Sequence, residues 1–197
     1  MPLSIRQYTQ TDEDTWVECH LQSYYNSIYI DELVKVKPRY ENPAIELVAL
    51  EGNKIVGVLD VEIEAYPGHF CLDDSIQSGM ISIIGVMPQY RKRGVATNLI
   101  EMSSKVLKDS YDIRRLEIWI RDDPELNVCL QKIGFHQIHH YFQVTLAADF
   151  FEKHNIVLPG ITPILLTGSV DSTSFSKLIR NHPPERTYKI LVLEKTF

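Results

Sequence analysis

The sequence predicts a mixed α/β sheet with helices on both faces. Two stretches carry most of that prediction. Residues 45–64, "IELVALEGNKIVGVLDVEIE", place alternating residues on either side of Gly52-Asn53, the pattern of a hairpin closed by a two-residue turn. Residues 80–87, "MISIIGVM", form a nearly continuous apolar run, as in a strand buried on both faces in the middle of a sheet. Around these, segments with apolar residues at helical spacing interleave with further strands.

In chain order, residues 3–8 alternate and form the first strand. Thr11 then opens a helix, with Asp14 as an imperfect capping box and Trp16, Val17, Leu21 and Tyr24 as its buried stripe. The next stretch is helical in part and stops near Pro38 and Pro43. Its tyrosines, Tyr24, Tyr25, Tyr29 and Tyr40, either pack in the core or line a pocket. In the second strand of the hairpin Leu59, Val61 and Ile63 face one way and Asp60, Glu62 and Glu64 the other. That acidic face reads as a solvated sheet surface, or else as one that attracts a cationic substrate.

Residues 66–79 form a loop before the central strand. A helix follows from about Gly94 to Lys108, with Leu99, Met102 and Val106 on one side. Residues 114–120 are the next strand, with Leu116, Ile118 and Ile120 inward. A short helix starts near Asp123-Pro124, is lined by Leu126, Leu130 and Ile133, and is closed by Gly134. Residues 135–146 and 187–196 are strands, and the stretch 147–186 between them, rich in proline and glycine, shows no clear period.

Composition narrows the function. A chain of 197 residues suits one substantial domain, or a domain with a large insertion. With 44% hydrophobic and 23% charged residues it reads as an ordinary soluble globular protein. Its net charge of -6 argues against general nucleic-acid binding, which needs a basic surface. No apolar run approaches a membrane span, and the amino-terminal stretch lacks the basic start and apolar core of a secretory signal. Cys19, Cys71 and Cys129 are far apart and odd in number, so neither a disulfide framework nor a CxxC metal pattern is expected, and a cytoplasmic location fits. His136 and His140 share a strand face, with His139 between them, but two ligands do not make a zinc site and no metal is expected.

Against this acidic background Arg91, Lys92 and Arg93 stand at the join between the central strand and a helix. Unpaired N–H groups and a partial positive charge at a helix start favour phosphate. Gly94 and Ala96 carry no bulky side chain and let a phosphate approach the backbone. The alternative is a solvent-exposed basic turn. GxxxxGK[ST] and GxGxxG are both absent, which removes the P-loop and the dinucleotide fold.

"VMPQYRKRGVATNLI", residues 86–100, resembles the acyl-CoA pyrophosphate loop of the GNAT superfamily of N-acetyltransferases. The family pattern of Arg or Gln, two residues, Gly, one residue, and Gly or Ala is met by Arg91, Gly94 and Ala96. "CLQKIGF", residues 129–135, is similar to the family's segment ending in Gly-Phe. The resemblance covers roughly residues 3–146 and 187–196. It implies a single domain over 1–197 with a mostly antiparallel central sheet flanked by helices, the acyl-CoA N-acyltransferase fold. Residues 147–186 are then an insertion between the last two strands, shaping the acceptor side or a homodimer contact.

By carry-over, the backbone of Arg91, Lys92, Arg93, Gly94, Val95, Ala96 and Thr97 holds the pyrophosphate of acetyl-CoA, and the strand edge at Val86 and Met87 pairs with the pantetheine arm. The implied activity is direct transfer of an acetyl group to an amine of a small molecule or peptide. The alternative is a catalytically inactive module that binds acyl-CoA or regulates.

The catalytic residues depart from the family pattern. An alkyl amine with a pKa near ~10.4 is only about one part in a thousand neutral at pH 7, so its proton must be accepted. Many members use a glutamate at the start of the central strand, where this chain has Met80. Many have a tyrosine as acid four residues before the Gly of Gly-Phe, which is Leu130 here, and an asparagine seven residues earlier, which is Asp123. A thiol with a pKa near ~8.5 leaves tolerably as thiolate in any case. The substitutes are Glu117 as base, directly or through water, and Tyr141 as acid, each of which also has a purely structural reading.

Overall fold

The structure, a computed structural model, describes residues 3–145, 165–168, 177 and 186–197. These residues fall into two compact units. One holds those up to Ile118 together with Gln131–Phe135 and Glu194–Phe197; the other holds Trp119–Leu130 and those from His136 to Leu193.

In the first unit β1 (Leu3–Gln7), β2 (Ala44–Glu51), β3 (Lys54–Ile63), β4 (Gly79–Val86) and β5 (from Arg115) lie side by side in that order. The first three pairs are antiparallel and β4–β5 is parallel, so the sheet is mixed and mostly antiparallel. The hairpin closes at Gly52-Asn53, with Gly52 at φ +63, a backbone region that side chains resist.

Helices cover both faces. From α1 (Glu13–Tyr24), Trp16 and Cys19 pack with Val48, Leu50, Val58, Ile83 and Met87. On the other face α2 (Val95–Tyr111) buries Val95, Leu99, Ile100, Ser103, Ser104 and Leu107. Met102, expected on the apolar side, is 38% exposed, so the buried stripe sits a fraction of a turn away from the predicted one. Gly57 allows this packing: a Cβ there would come within 2.6 Å of Val95 Cγ1.

Three local expectations are corrected. The capping pair is Thr9 and Asp12, with Asp12 Oδ2 accepting the Thr9 N–H at 2.8 Å, because Arg6 holds that carboxylate from β1 at 2.7 Å. Only one α-helix lies between β1 and β2; beyond it is a short 3-10 turn, Ile30–Glu32. The acidic face of β3 is largely covered: Asp60 and the following Glu64 are both 0% exposed, and Glu62 is half-buried. Lys37 approaches Asp60 Oδ2 at 2.8 Å, Tyr40 donates to the same oxygen at 2.9 Å, and Glu46 also pairs with Lys37. Glu64 accepts the N–H groups of Phe70, Cys71 and Ser78, so the 66–78 loop folds over it. Charge alternation on β3 looked like a wet surface because the covering segments are distant in sequence.

In the second unit β6 (His136–Thr145) pairs antiparallel with β7 (Leu165–Gly168), and β8 (Arg186–Thr196) runs beside β6. β7 falls within the stretch 147–186; apart from it and residue 177, that stretch up to residue 185 lies outside the described residues. Arg121 stacks on Tyr188 at 3.8 Å, and the Asp122 N–H reaches the Lys189 carbonyl at 2.8 Å. α3 (Pro124–Lys132) ends at Gly134, whose φ of +96 is the left-handed cap that the sequence called for. No described helix is long and apolar enough to cross a membrane.

Candidate active site

The central strand is broken in a useful place. Asp60 lies opposite Ile83 and Val61 opposite Ile81, so Ser82 is an extra residue, a β-bulge. The parallel ladder with β5 ends there too: Gly79, Met80 and Ile81 face Leu116, Glu117 and Ile118, and among the described residues no further pairs follow. From Ile83 to Val86, β4 is therefore paired on its β3 side alone. The Met87 N–H donates to the Val56 carbonyl at 3.0 Å. In an antiparallel ladder such pairs alternate, so the N–H and C=O groups of Ile84 and Val86 point to the unpaired side. Of the two residues expected at this edge, Val86 presents its backbone there. Met87 turns its amide toward β3 and buries its side chain in the core. Nothing in the run "MISIIGVM" marks the bulge.

Beyond β4 a 3-10 turn, Pro88–Tyr90, leads into the basic turn and α2. Gly94 is the N-cap at φ +80, and a Cβ there would meet nothing within 4 Å, so the space before the helix is open. Inside the helix the amides of Val95, Ala96 and Thr97 have no carbonyl four residues back, and they gather at the positive end of the dipole. The first bond of the ladder runs from the Asn98 N–H to the Gly94 carbonyl at 2.9 Å.

The three cations are not equivalent. Arg91 folds back, donating from Nε to the Val86 carbonyl at 3.2 Å and from Nη2 to the Ser23 carbonyl at 2.8 Å. Arg93 pairs with Glu51 at 2.5 Å and lies over the Tyr90 ring. Lys92 is exposed, with its backbone at φ +60.

Glu117 lies on β5 directly across from Met80, and its side chain is fully buried. Its carboxylate accepts the Leu72 N–H at 3.0 and 3.1 Å and pairs with Arg115 Nη2 at 3.0 Å. Arg115 also reaches Glu194 at 2.6 Å and Ser78 Oγ at 2.8 Å. Cys71 is buried beside this cluster, and burial followed by the nearby Glu117 and Glu64 charges pushes its thiol pKa well up. A carboxylate thus lies next to the family's usual position, contributed by the neighbouring strand.

Of the tyrosines raised by the sequence, Tyr40 lines a cavity of about 510 Å³ together with Tyr8, Glu13, Lys37, Asn42 and Glu46. Tyr24 instead reaches β4, donating to the Ile84 carbonyl at 3.2 Å.

In the second unit Tyr141 is half-buried and meets the Trp119 ring edge-on at 5.7 Å; burial raises its phenol pKa. Leu130 is fully buried. Asp123 accepts the N–H groups of Glu125 and Leu126 at 2.9 and 3.1 Å, so it caps α3. Among the described residues no three His, Cys, Asp or Glu side chains gather as a metal site.

Comparison with known proteins agrees with this geometry. An acetyltransferase (GNAT) domain model matches residues 4–113. An N-alpha-acetyltransferase of Sulfurisphaera tokodaii is 29% identical over 108 residues, which cover 52% of this chain. The match spans 64% of that relative's length, short of two thirds. The ribosomal-protein alanine N-acetyltransferase of Escherichia coli superposes with a TM-score of 0.60 at 10% identity, over 99% of this chain and 94% of that one. The PaiA N-acetyltransferase of Thermoplasma acidophilum, in complex with coenzyme A, gives 0.58 at 14% identity over 100% of both. At such identities the two structures show a shared fold.

Proposed function

The chain belongs to the GNAT acetyltransferase family, and from that premise we propose that it transfers the acetyl group of acetyl-CoA directly to an amine of a peptide or small molecule. One observation carries the reading: the bulge at Ser82 leaves the Ile84–Val86 edge of β4 unpaired, and that edge runs into the Gly94 turn and the free first amides of α2. A long arm with a phosphate at one end fits such a groove. The pyrophosphate would rest on the amides of Gly94, Val95, Ala96 and Thr97, within the turn that Arg91, Lys92 and Arg93 open. The pantetheine would pair with the backbone at Val86. The coenzyme A bound by the Thermoplasma relative supports that choice of ligand.

In this reading Glu117 accepts the amine proton through water, since its carboxylate is covered by Leu72 and Arg115. Tyr141, the candidate acid of the sequence, belongs to the second unit. The N-alpha-acetyltransferase of Sulfurisphaera tokodaii favours an amino-terminal amine as acceptor, and three cysteines with no disulfide between them suit a reducing cytoplasm. The buried, doubly held Glu117 and the apolar Leu130 favour a second reading, a module that binds acyl-CoA without transferring the group.

Thiol release from acetyl-CoA over a panel of peptides with free amino termini and small primary amines separates the two. A transferase releases thiol above the hydrolysis background with at least one amine. Release at background for every member, from a protein that binds acetyl-CoA, removes the transferase reading.

A further inference from the structure

Leu130 stands at the sequence position of the family's usual acid and has no hydroxyl, so in this reading a group that meets the thioester sulfur comes from another element. The unpaired edge of β4 holds one. Tyr24, the last residue of α1, donates its hydroxyl to the Ile84 carbonyl at 3.2 Å. Ile84 is the second residue past the bulge, and its carbonyl faces the unpaired side. Tyr24 reaches it because residue 85 is glycine: a Cβ there would lie 3.1 Å from Ser23 Cβ and 3.4 Å from Tyr24 Cε2. The same helix end is tied to the basic turn, since Arg91 bridges the carbonyls of Ser23 and Val86. His20 and Tyr29 flank the Tyr24 ring at 4.2 and 5.9 Å. Helix end, strand edge and basic turn are joined by hydrogen bonds, and the phenol is held at one spot along the edge.

We infer that Tyr24 is a catalytic residue whose hydroxyl donates a hydrogen bond to the sulfur of an acyl-CoA lying along β4. The inference rests on the acyl-CoA reading given above. An arm anchored by phosphate at Gly94 passes Val86 first and reaches Ile84 two residues later, roughly 7 Å farther along the strand, so its thioester end arrives beside Tyr24. During transfer the amine nitrogen forms the C–N bond and gives its proton to the base. The C–S bond breaks with its electron pair on sulfur, and the single Tyr24 O–H proton, turned from the Ile84 carbonyl to the sulfur, stabilises that charge without being given up. A phenol above ~10 facing a thiol near ~8.5 remains the donor of a hydrogen bond, and burial, the largest influence on Tyr24, raises it further.

The test places a ring-fluorinated tyrosine at position 24 of the full chain and follows its fluorine resonance during titration with acetyl-CoA, coenzyme A and desulfo-coenzyme A. Calorimetry on the same sample reads binding independently. The expected result is a shift with the two sulfur-containing ligands and a smaller one with the desulfo compound. Equal responses to all three, or no response to acetyl-CoA that calorimetry shows to be bound, overturn the role of Tyr24 and leave the acyl-CoA reading standing. Absence of calorimetric binding overturns both. In turnover, Tyr24→Phe keeps the ring against Gly85 and should lower kcat on the order of tenfold to a hundredfold while KM for acetyl-CoA stays within about twofold. An unchanged kcat contradicts the inference.

Discussion

Met80 and Glu117 face each other across the parallel ladder of β4 and β5, two residues before the bulge that opens the edge of β4. Where many family members place a glutamate on the central strand, this chain places methionine there and a carboxylate on the strand beside it. Glu117→Gln keeps one acceptor oxygen for Leu72 and Arg115 while losing the second and the charge, and should lower kcat on the order of a hundredfold, with acetyl-CoA affinity unchanged. Adding Met80→Glu to that variant returns a carboxylate to the neighbouring strand and should recover part of the rate. Steady-state thiol release measures both, and a Glu117→Gln enzyme with full kcat removes Glu117 from the chemistry.

The Lys37–Asp60 pair ties the segment before β2 to the sheet. Both side chains are buried, 3% and 0% exposed, and Lys37 also lies over the rings of Tyr8, Trp16 and Tyr40. Burial raises the Asp60 pKa, and the Lys37 charge opposes that rise. Removing one partner strands the other, so Lys37→Met should cost roughly 3–5 kcal/mol of stability. The double variant Lys37→Met, Asp60→Leu should recover most of the loss. Urea unfolding of the single and double variants decides, and equal destabilisation in both would show that the pair is not the unit that matters.

His20 is buried between Trp16 and Tyr24, with its Nδ1 lacking a partner and its Nε2 3.3 Å from the Glu32 carbonyl. Burial lowers its pKa below the usual 6.5. Below about pH 6.5 the unfolded chain therefore takes up a proton that the folded chain resists. The stability His20 contributes is complete above that pH and is lost as pH falls through the folded value. Melting temperature should decline from pH 7 to pH 5, and His20→Phe should flatten that decline. An equally steep decline in the variant assigns it to other groups.

How much of this was legible in the sequence depended on whether the cause was local. The Gly52-Asn53 turn, the apolar run of β4 and the Gly94 helix start are each fixed within a few residues, and all three were readable. The burial of Asp60 and Glu64 was not, because Lys37, Tyr40 and the 66–78 loop cover them from elsewhere in the chain. Ser82 gives no sign of being a bulge, since its extra position exists only against the register of β3. Tyr24 is one of several tyrosines in its stretch, and nothing local sets it apart. Its place at the β4 edge follows from the missing side chain of Gly85, sixty-one positions along the chain. Asp123, at the sequence position of a family asparagine, caps α3, the helix start that the sequence places at Asp123-Pro124.

The central claim is that acyl-CoA lies along the open edge of β4 with its pyrophosphate at the Gly94 turn. Calorimetric titration of acetyl-CoA into the full chain and into Gly94→Glu tests it directly, with the melting temperature of the variant confirming its fold. Gly94 has open space around a would-be Cβ, so a glutamate there projects carboxylate into the phosphate position. Saturable binding to the unaltered chain that disappears in Gly94→Glu is the predicted result. No binding to the unaltered chain at millimolar ligand, or equal affinity in the variant, would contradict the claim.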